Sequence, residues 1–514
     1  MNTAQNLNYK PLTYYLDKLK EHNLDYEILG GSSNLDQVPL AGIAYDSRKV
    51  APGFAFFGLT GQHVDGNSFI ENAIKSGATS IVSETKLKLN NNVPLIVVKN
   101  TRLALALFSS IFYEMPDQKL NLIGITGTNG KTTTTHLLEK LVDDLGIIGT
   151  LGARWPNSSN YEFLNFTTPN PPELNLILKR QLDDGVKNVA MEVSSHALSL
   201  DRVSFLDFNI ACLTNITQDH LDFHKTMENY VNSKFKLFEN LLASKKPDKF
   251  AILNKDASYG QDFEERLNNL NAPKYNVTVL TYGFSDKASL YVKNYTSSFD
   301  SSNLEIGGLL GNLTLTVPVI GLFNIYNVLA AMLVAHACKI EISTILARLK
   351  DFQGVAGRFE KVSSSSQQPL CIVDYAHTPD GLANVLTAAR GLTPANGKLI
   401  VVFGCGGDRD SSKRPQMGSI AEKLADIIII TSDNPRSEDP EQIIADILTG
   451  IKKLKNVQVE SDRQEAIKLA INLAKAKDVI VIAGKGHENY QIIGDKTIHF
   501  DDREIARANL KLKV

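Results

Sequence analysis

Short apolar runs closed by polar or glycine-rich turns recur along the whole chain, and stretches with helical spacing of apolar positions lie between them. That alternation predicts an α/β protein in which largely parallel sheets are covered by helices. In the first part, residues 40–45, 55–59, 79–83 and 95–99 read as strands and 68–76 as a helix, with polar turns at Asp46-Ser47-Arg48 and Gly61-Gln62-His63-Val64-Asp65-Gly66. A boundary is expected at Met115-Pro116-Asp117, where proline stops the preceding helical run. From 118 to 356 strand-like and helical stretches alternate, and 189–193 and 208–213 are the clearest strands there. Residues 357–514 repeat the alternation, with strands expected at 370–373, 399–403, 427–431 and 479–483. Nearly every one of these later strands runs into a polar cluster. In open α/β sheets ligands gather at the carboxyl ends of strands, so the clusters are expected to share a pocket.

The densest cluster follows the run Leu122-Ile123-Gly124-Ile125-Thr126. Gly127-Thr128-Asn129-Gly130-Lys131-Thr132-Thr133 forms a glycine-rich turn, and a helical stretch follows it. A strand, such a turn and a helix N-terminus aim backbone N–H groups and the helix dipole at one anion, here a nucleotide phosphate. Gly127 and Gly130 let the backbone approach phosphate, Lys131 brings a point charge, and the Thr132 hydroxyl is placed to ligate Mg²⁺. The general phosphate loop carries a glycine where this chain has Ile125, so the motif is a tighter variant. An ordinary strand–helix turn is the bland alternative, and Gly-Lys-Thr-Thr at the helix start weighs against it.

At 514 residues the chain exceeds what one hydrophobic core supports, and three domains are expected: 1–117, 118–356 and 357–514. Lys and Arg number 54 against 56 Asp and Glu, a balance that argues against nucleic-acid or membrane-surface binding, so any anionic ligand must be held locally. The cysteines Cys212, Cys338, Cys371 and Cys405 are scattered, as for buried thiols in a reducing cytosol. No run reaches the roughly 18 apolar residues of a membrane span, and the N-terminus lacks an export signal, so a soluble cytoplasmic protein is expected.

Two further clusters bear on chemistry. Glu192, and the run Asp219-His220-Leu221-Asp222, follow strands beside the phosphate loop, and Glu192 then His220 are the best candidates to complete a Mg²⁺ site. Without the loop nearby, a strand-end glutamate reads as a solvated or salt-bridged residue. In the last block Arg409 and Arg436 suit carboxylates and Glu488 suits an ammonium, a set fit for an amino acid. A loop arginine beside an aspartate is, taken alone, more often a surface ion pair worth little.

Taken together and in order, the loop at 127–133, Met191-Glu192-Val193-Ser194-Ser195-His196, Asp219-His220-Leu221-Asp222, Gly321-Leu322-Phe323-Asn324-Ile325-Tyr326-Asn327, Gly357-Arg358-Phe359-Glu360, Asp374-Tyr375-Ala376-His377-Thr378-Pro379-Asp380 and Asp433-Asn434-Pro435-Arg436 resemble the Mur ligases. The resemblance spans nearly the whole chain, from Asp46 to Glu488. It implies an N-terminal UDP-precursor-binding domain, a central phosphate-loop ATPase domain with a parallel sheet, and a C-terminal Rossmann-like domain that binds an amino acid. The implied reaction uses ATP and Mg²⁺ to join meso-diaminopimelate to the D-Glu γ-carboxylate of UDP-MurNAc-L-Ala-D-Glu through an acyl phosphate. A monomer acting on small molecules is expected.

Position by position, the resemblance implies that Gly127, Thr128, Asn129, Gly130, Lys131, Thr132 and Thr133 bind the ATP phosphates. Asn324, Arg358 and Asp374 would hold adenine, phosphate and ribose, with Asn327 and His377 nearby. Ser47, Gln62, His63 and Val64 would meet the UDP end of the precursor, and Thr167, Thr168, Ser194 and Arg202 its muramoyl-dipeptide arm. Phe166 and Leu200 stand where some members carry Asn and Gln. Lys234 falls where the family carries a carbamylated lysine. A carbamate would turn a cation into a carboxylate-like anion that joins Thr132, Glu192 and His220 in holding metal, whereas a bare lysine would repel it.

The acceptor pocket maps onto Arg409, Asp433, Asn434, Pro435, Arg436, Gly484 and Glu488. Asp-Asn-Pro-Arg is the version typical of diaminopimelate-adding members, and the arginine rewards a distal carboxylate that lysine lacks. The residues do not identify the base for the incoming amine, for which His220 and Asp219 are candidates. A lysine-adding Mur ligase, a folylpolyglutamate synthetase and a nucleotide-binding switch are the alternative readings. The acceptor motif, the Thr pair and site residues in all three blocks weigh against them.

Overall fold

The computed structural model describes residues 9–512 except 32–34, 39, 62–63, 90–91, 271–274, 299 and 364–366. Its chain builds three α/β units in sequence, each around its own sheet. In the first, parallel strands Leu95–Val98, Ser80–Ser83, Phe54–Phe57 and Gly42–Ala44 lie side by side, and Tyr26–Leu29 adds an antiparallel edge. Helices Leu12–Glu21 and Thr101–Phe112 pack on one face, and Ile70–Lys75 on the other. The helix expected over 68–76 is split. Asp65 accepts from the Asn67 N–H, so the first turn, Gly66–Phe69, winds as a tighter 3₁₀ helix before Ile70–Lys75 becomes α-helical.

The second sheet has six parallel strands at its centre, in the order Val277–Gly283, Lys249–Asn254, Ile210–Leu213, Asn121–Thr126, Asn188–Glu192 and Leu145–Gly149. Helices Lys131–Leu141, Leu322–Ala337 and Ile342–Leu349 cover one face. Helices Pro171–Asp183, Met227–Ala243 and Gly260–Leu270 cover the other. The central strands are apolar on both faces because both are covered. Beyond Val277–Gly283 the expected strand–helix alternation stops. Leu290–Ser297, Ser302–Gly308 and Leu313–Val317 form an antiparallel ribbon instead. Ser302–Gly308 alternates buried and exposed side chains over most of its length, the signature of a strand with one solvated face.

In the third sheet, strands Leu370–Asp374, Val479–Ala483, Leu399–Phe403, Ile427–Ile430 and Val457–Val459 run parallel in that order. One face carries Pro379–Leu392, Lys413–Leu424 and Pro440–Leu448, and the other Arg463–Leu473 and Asp502–Leu512. Cys212, Cys371 and Cys405 are buried and all four thiols are free, so they behave as small apolar groups; burial pushes each up to about 12. No described helix is long and apolar enough to cross a membrane.

Where a boundary was expected, Pro116–Gln118 forms a 3₁₀ turn, and Asp117 is sealed there with 1% of its surface exposed. Its Oδ2 accepts from the Asp207 N–H at 2.8 Å, while Oδ1 has no partner. Burial lifts this carboxyl from 3.8 to about 6. The folded chain therefore holds the proton more tightly than the unfolded chain, and the group's contribution to stability is full below about pH 3.8 and lost as pH rises through 6. Asp117→Asn should flatten that part of the stability–pH curve. Urea midpoints at pH 4, 5 and 6.5 measure it, and an unchanged slope would assign the titration to another group.

Candidate active site

The apolar strand Asn121–Thr126 stops at Gly127, and Lys131–Leu141 starts one turn later. The turn is confined by its neighbours. A Cβ on Gly127 (φ 152°) would lie 1.9 Å from Thr214 Oγ1, and one on Gly130 (φ 86°) 2.3 Å from Asn327 Oδ1. Only glycine fits this path. The loop is braced from the next strand end: Thr128 N–H donates to Asn215 O, Asn129 N–H to Asn215 Oδ1, and Thr214 Oγ1 to Asn129 O at 2.6 Å. The helix start leaves its first N–H groups without helical partners and facing a common point.

Two lysines converge on the loop. Lys131 Nζ donates to Gly127 O (2.8 Å) and Thr128 O (2.9 Å), and Lys234 Nζ donates to the same Gly127 O at 2.8 Å. Lys234 is 1% exposed, and its Nζ lies 4.5 Å from the Tyr230 ring centre. Burial, and then Lys131, push the Lys234 ammonium well below its ordinary range. Burial also lowers Lys131, partly offset by Glu192.

Glu192 closes the other side. Its carboxylate, 1% exposed, accepts from Thr132 Oγ1 at 3.0 Å, Thr150 N–H at 2.9 Å and Thr150 Oγ1 at 3.0 Å. Thr132 Oγ1 in turn accepts from Arg358 Nη2 at 3.0 Å, so the third unit reaches the phosphate loop. His220 joins this group through Tyr230, its ring 6.4 Å from the Tyr230 ring that Lys234 overlies. It has a left-handed backbone (φ 54°), and its Nε2 lies 3.3 Å from Asp219 Oδ2 and its ring 4.7 Å from that of His196. Burial pushes its imidazole well below the usual range, partly offset by Asp219. Among the described residues no three His, Cys, Asp or Glu side chains form a ready metal cluster. What surrounds the loop is instead an oxygen set, Thr132 Oγ1 and the Glu192 carboxylate, which suits a hard cation that shares its coordination with phosphate oxygens.

Between the second and third units lies a cavity of about 300 Å³ lined by Gly130, Thr132, Asn327, Arg358, Asp374 and Asp380, among others. Asp374 accepts from Phe359 N–H and Ala376 N–H, and burial raises its carboxyl to about 6. The Arg358 guanidinium rests 4.4 Å from the Tyr375 ring centre. Asp380 spans the gap: its Oδ2 accepts from Asn129 Nδ2 (2.9 Å), Thr217 Oγ1 (3.3 Å) and Asn384 Nδ2 (3.1 Å). Asn324 is turned to Ile320 O and Asn327, and Thr133 lines the cavity wall.

The residues expected to meet the precursor arm are gathered beside Glu192. Thr168 Oγ1 donates to Glu192 O (2.8 Å) and accepts from Ser194 N–H (3.0 Å), Arg202 Nη1 donates to Thr168 O (2.9 Å), and Thr167 Oγ1 is 3.2 Å from Thr150 Oγ1. Phe166 lies under the Arg202 guanidinium at 4.3 Å. In the first unit Ser47 opens the 3₁₀ turn Ser47–Lys49 and Val64 is 59% exposed; Gln62 and His63 fall outside the described residues.

In the third unit, Asn434 Nδ2 donates to Glu488 Oε2 (2.9 Å), and Lys485 Nζ donates to both Asn434 Oδ1 (3.1 Å) and Glu488 Oε2 (3.0 Å). Burial, then the nearby Asp433 charge, raise Glu488. Gly484 passes so close to Asp433 that a Cβ would lie 2.5 Å from Asp433 Oδ2. Arg436, with φ 53°, donates from Nη1 to Gly407 O, and Pro435 sits before it at the mouth of the same loop. Arg409 is exposed, and among the described residues its side chain bonds the neighbouring Asp408 O alone. Thr150, Asp380 and Lys485 were not singled out from the sequence. Thr150 follows the strand Leu145–Gly149, and that strand-end position is the signal that could have found it; Asp380 closes the run 374–380 and Lys485 lies beside Gly484.

Comparison with known proteins agrees with this geometry. Residues 39–113 match the model of the Mur ligase family catalytic domain, 125–335 the Mur ligase middle domain, and 357–486 the Mur ligase glutamate ligase domain. The UDP-N-acetylmuramoyl-L-alanyl-D-glutamate–2,6-diaminopimelate ligase of Gloeobacter violaceus is 45% identical over 481 residues, 93% of this chain and 95% of that one. A solved structure of a ligase with the same description is 32% identical, covers 94% of this chain and 97% of its own, and superposes with a TM-score of 0.66. The MurF ligase from Thermotoga maritima in complex with ADP, 18% identical over 92% of this chain and 98% of its own, shares the fold with a TM-score of 0.59. The phosphate loop, the strand-end clusters of three successive sheets and these likenesses all lead to one assignment: the chain belongs to the Mur ligase family.

Proposed function

We propose that this protein is an ATP-dependent ligase that joins meso-diaminopimelate to the γ-carboxylate of D-Glu in UDP-MurNAc-L-Ala-D-Glu, a step of peptidoglycan synthesis. The observation that carries it is the adjacency of the two halves of the site. Tyr375, which lines the nucleotide cavity, packs with its ring 5.1 Å from that of His487, inside the loop that bears Gly484 and Glu488.

In this reading a carboxylate oxygen of the D-Glu residue attacks the γ-phosphorus of ATP, and ADP leaves. The unprotonated amine of diaminopimelate then attacks the acyl carbon, the acyl C–O bond breaks, inorganic phosphate leaves and the nitrogen gives up one proton. Lys131 and the N–H groups of residues 127–133 bear on the phosphoryl charge, where fixed donors act most strongly. Thr167, Thr168, Ser194 and Arg202 orient the dipeptide arm, Ser47, Gln62, His63 and Val64 meet the UDP end, and Asn324, Arg358 and Asp374 hold adenine, phosphate and ribose. Arg409, Asp433, Asn434, Pro435, Arg436, Gly484 and Glu488 seat the incoming amino acid.

Mg²⁺ fits the oxygen donors of Thr132 and Glu192, with His220 as a further ligand, and a carbamylated Lys234 would help hold a second Mg²⁺; bound there, the metal would offset phosphate charge as a Lewis acid. Support for the carbamate comes from the Lys234 environment. Burial disfavours the charged form of this amine, the neutral amine is nucleophilic toward CO₂, and the carbamate it forms sets a negative charge beside Lys131. The first unit serves the UDP precursor, the second ATP and the third the amino acid, on the boundaries 117 and 356.

Three outcomes test this. Sustained ADP formation should require both precursor and amino acid, and a mass increase matching one added diaminopimelate should appear; sustained turnover without the amino acid would favour a nucleotide-binding switch. Arg436→Ala should cut kcat/KM for meso-diaminopimelate by about 10²-fold or more, with lysine use changed far less, because it removes the partner of a buried carboxylate. Equal loss for both amino acids in a side-by-side assay would remove the specificity assignment. Lys234→Arg keeps a cation but cannot carry a carbamate, so it should lower kcat by about 10²-fold or more and abolish the carbamate signal seen by ¹³C NMR in labelled bicarbonate. A wild-type spectrum without that signal would end the carbamate reading.

A further inference from the structure

Beneath the acceptor pocket lies a charge pair that touches neither substrate nor solvent. Arg463 and Asp502 have fully buried side chains, and they meet through two parallel bonds, Nε to Oδ1 at 2.8 Å and Nη2 to Oδ2 at 2.7 Å. Two further donors of Arg463 go to backbone carbonyls: Nη2 to Ala483 O at 2.9 Å and Nη1 to Ser432 O at 3.2 Å. Ala483 ends the strand Val479–Ala483, and Ser432 lies two residues beyond Ile427–Ile430. Those strands are not neighbours. Leu399–Phe403 lies between them, so their axes are about 10 Å apart at the usual spacing.

The residues that follow these two carbonyls are the acceptor motifs themselves, Asp433-Asn434-Pro435-Arg436 after one and Gly484-Lys485-Gly486-His487-Glu488 after the other. We propose that Arg463, charged and oriented by Asp502, is a positioning residue that ties the ends of these two strands together and so sets the spacing of Asp433 and Asn434 against Gly484 and Glu488 around the incoming amino acid. The inference rests on the amino-acid role of that pocket.

The chemistry explains why the tie needs arginine. Four hydrogen bonds leave three nitrogens in one plane, two toward a carboxylate and two toward carbonyls on separate strands. Lysine offers one nitrogen and three donors with no fork, so it cannot serve the carboxylate bidentately and also span both strand ends. A buried pair of this kind adds little net stability compared with an apolar replacement of the same size, so its value lies in the geometry it imposes. The tolerance is narrow: Gly484 already approaches Asp433 too closely for any side chain, and Asn434 Nδ2 reaches Glu488 Oε2 directly across the gap. A shift of about 1 Å between the strand ends breaks that contact and misplaces the amino acid relative to the acyl carbon.

The test is steady-state kinetics of Arg463→Lys and of Asp502→Asn, the second keeping the shape of the carboxylate and an acceptor for the guanidinium. In each variant that remains folded by circular dichroism, KM for meso-diaminopimelate should rise about tenfold or more while KM for ATP and for the UDP precursor stays within about twofold. Arg463→Lys should be the more affected of the two, because it loses the ties to both strand ends. An unchanged KM for the amino acid in a folded variant, or an equal rise in all three KM values, would overturn the proposal. The pocket's role is checked separately on the wild-type protein: if it ligates diaminopimelate while the folded variants behave as wild type, the positioning role alone falls, whereas a wild-type protein that does not use the amino acid removes the underlying reading.

Discussion

Gly127 O accepts hydrogen bonds from two lysine side chains, Lys131 and Lys234, each at 2.8 Å. A carbonyl carries only a partial negative charge, so it cannot neutralise two ammonium groups in a desolvated place. The loop is thus held in an electrostatic state that calls for an anion on the Lys131 side, and burial favours the neutral amine at Lys234. Much of the surrounding structure serves to keep this arrangement in place. Asn215 and Thr214 brace the loop backbone, Tyr230 roofs Lys234, and Glu192 stands across from Lys131 with its own three donors.

The architecture repeats one solution three times. Each unit has a mainly parallel sheet, and polar residues gather where its strands stop. In the second and third units these ends face each other, so a single cavity draws Gly130 and Thr132 from one and Arg358, Asp374 and Asp380 from the other. The residues beside Glu192 that include Thr168 and Arg202 lie toward the first unit, where Asn100 Nδ2 reaches Asp201 Oδ2 at 3.2 Å. Phosphate, acid and amine can therefore be handled at neighbouring strand ends without any one loop carrying all three.

How far the sequence reveals this depends on how local each signal is. The phosphate loop was legible because glycine, lysine and threonine spacing within seven residues states its own geometry. Central strands such as Leu399–Phe403 and Val479–Ala483 were legible from unbroken apolar runs. The antiparallel ribbon after Gly283 was not, because alternating burial in Ser302–Gly308 reads as an ordinary polar stretch until its partners are known. The same holds inside the site. Glu192 announced itself at the end of a strand, but its partner Thr150 is 42 residues away in sequence. Arg463 opens a helix, where an arginine ordinarily reads as solvated, and nothing local ties it to Asp502, 39 residues later. Side chains whose meaning lies in a long-range partner are silent until the fold joins them.

Asp380 gives this architecture a mechanical property. One carboxylate oxygen on the third unit receives Asn129 from the phosphate loop and Thr217 from the next strand end of the second unit. Any swing of the third unit away from the second releases both donors in the same movement, and returning it recaptures both. The orientation of the amide at the nucleotide's doorway and the angle between the two bodies are consequently a single degree of freedom.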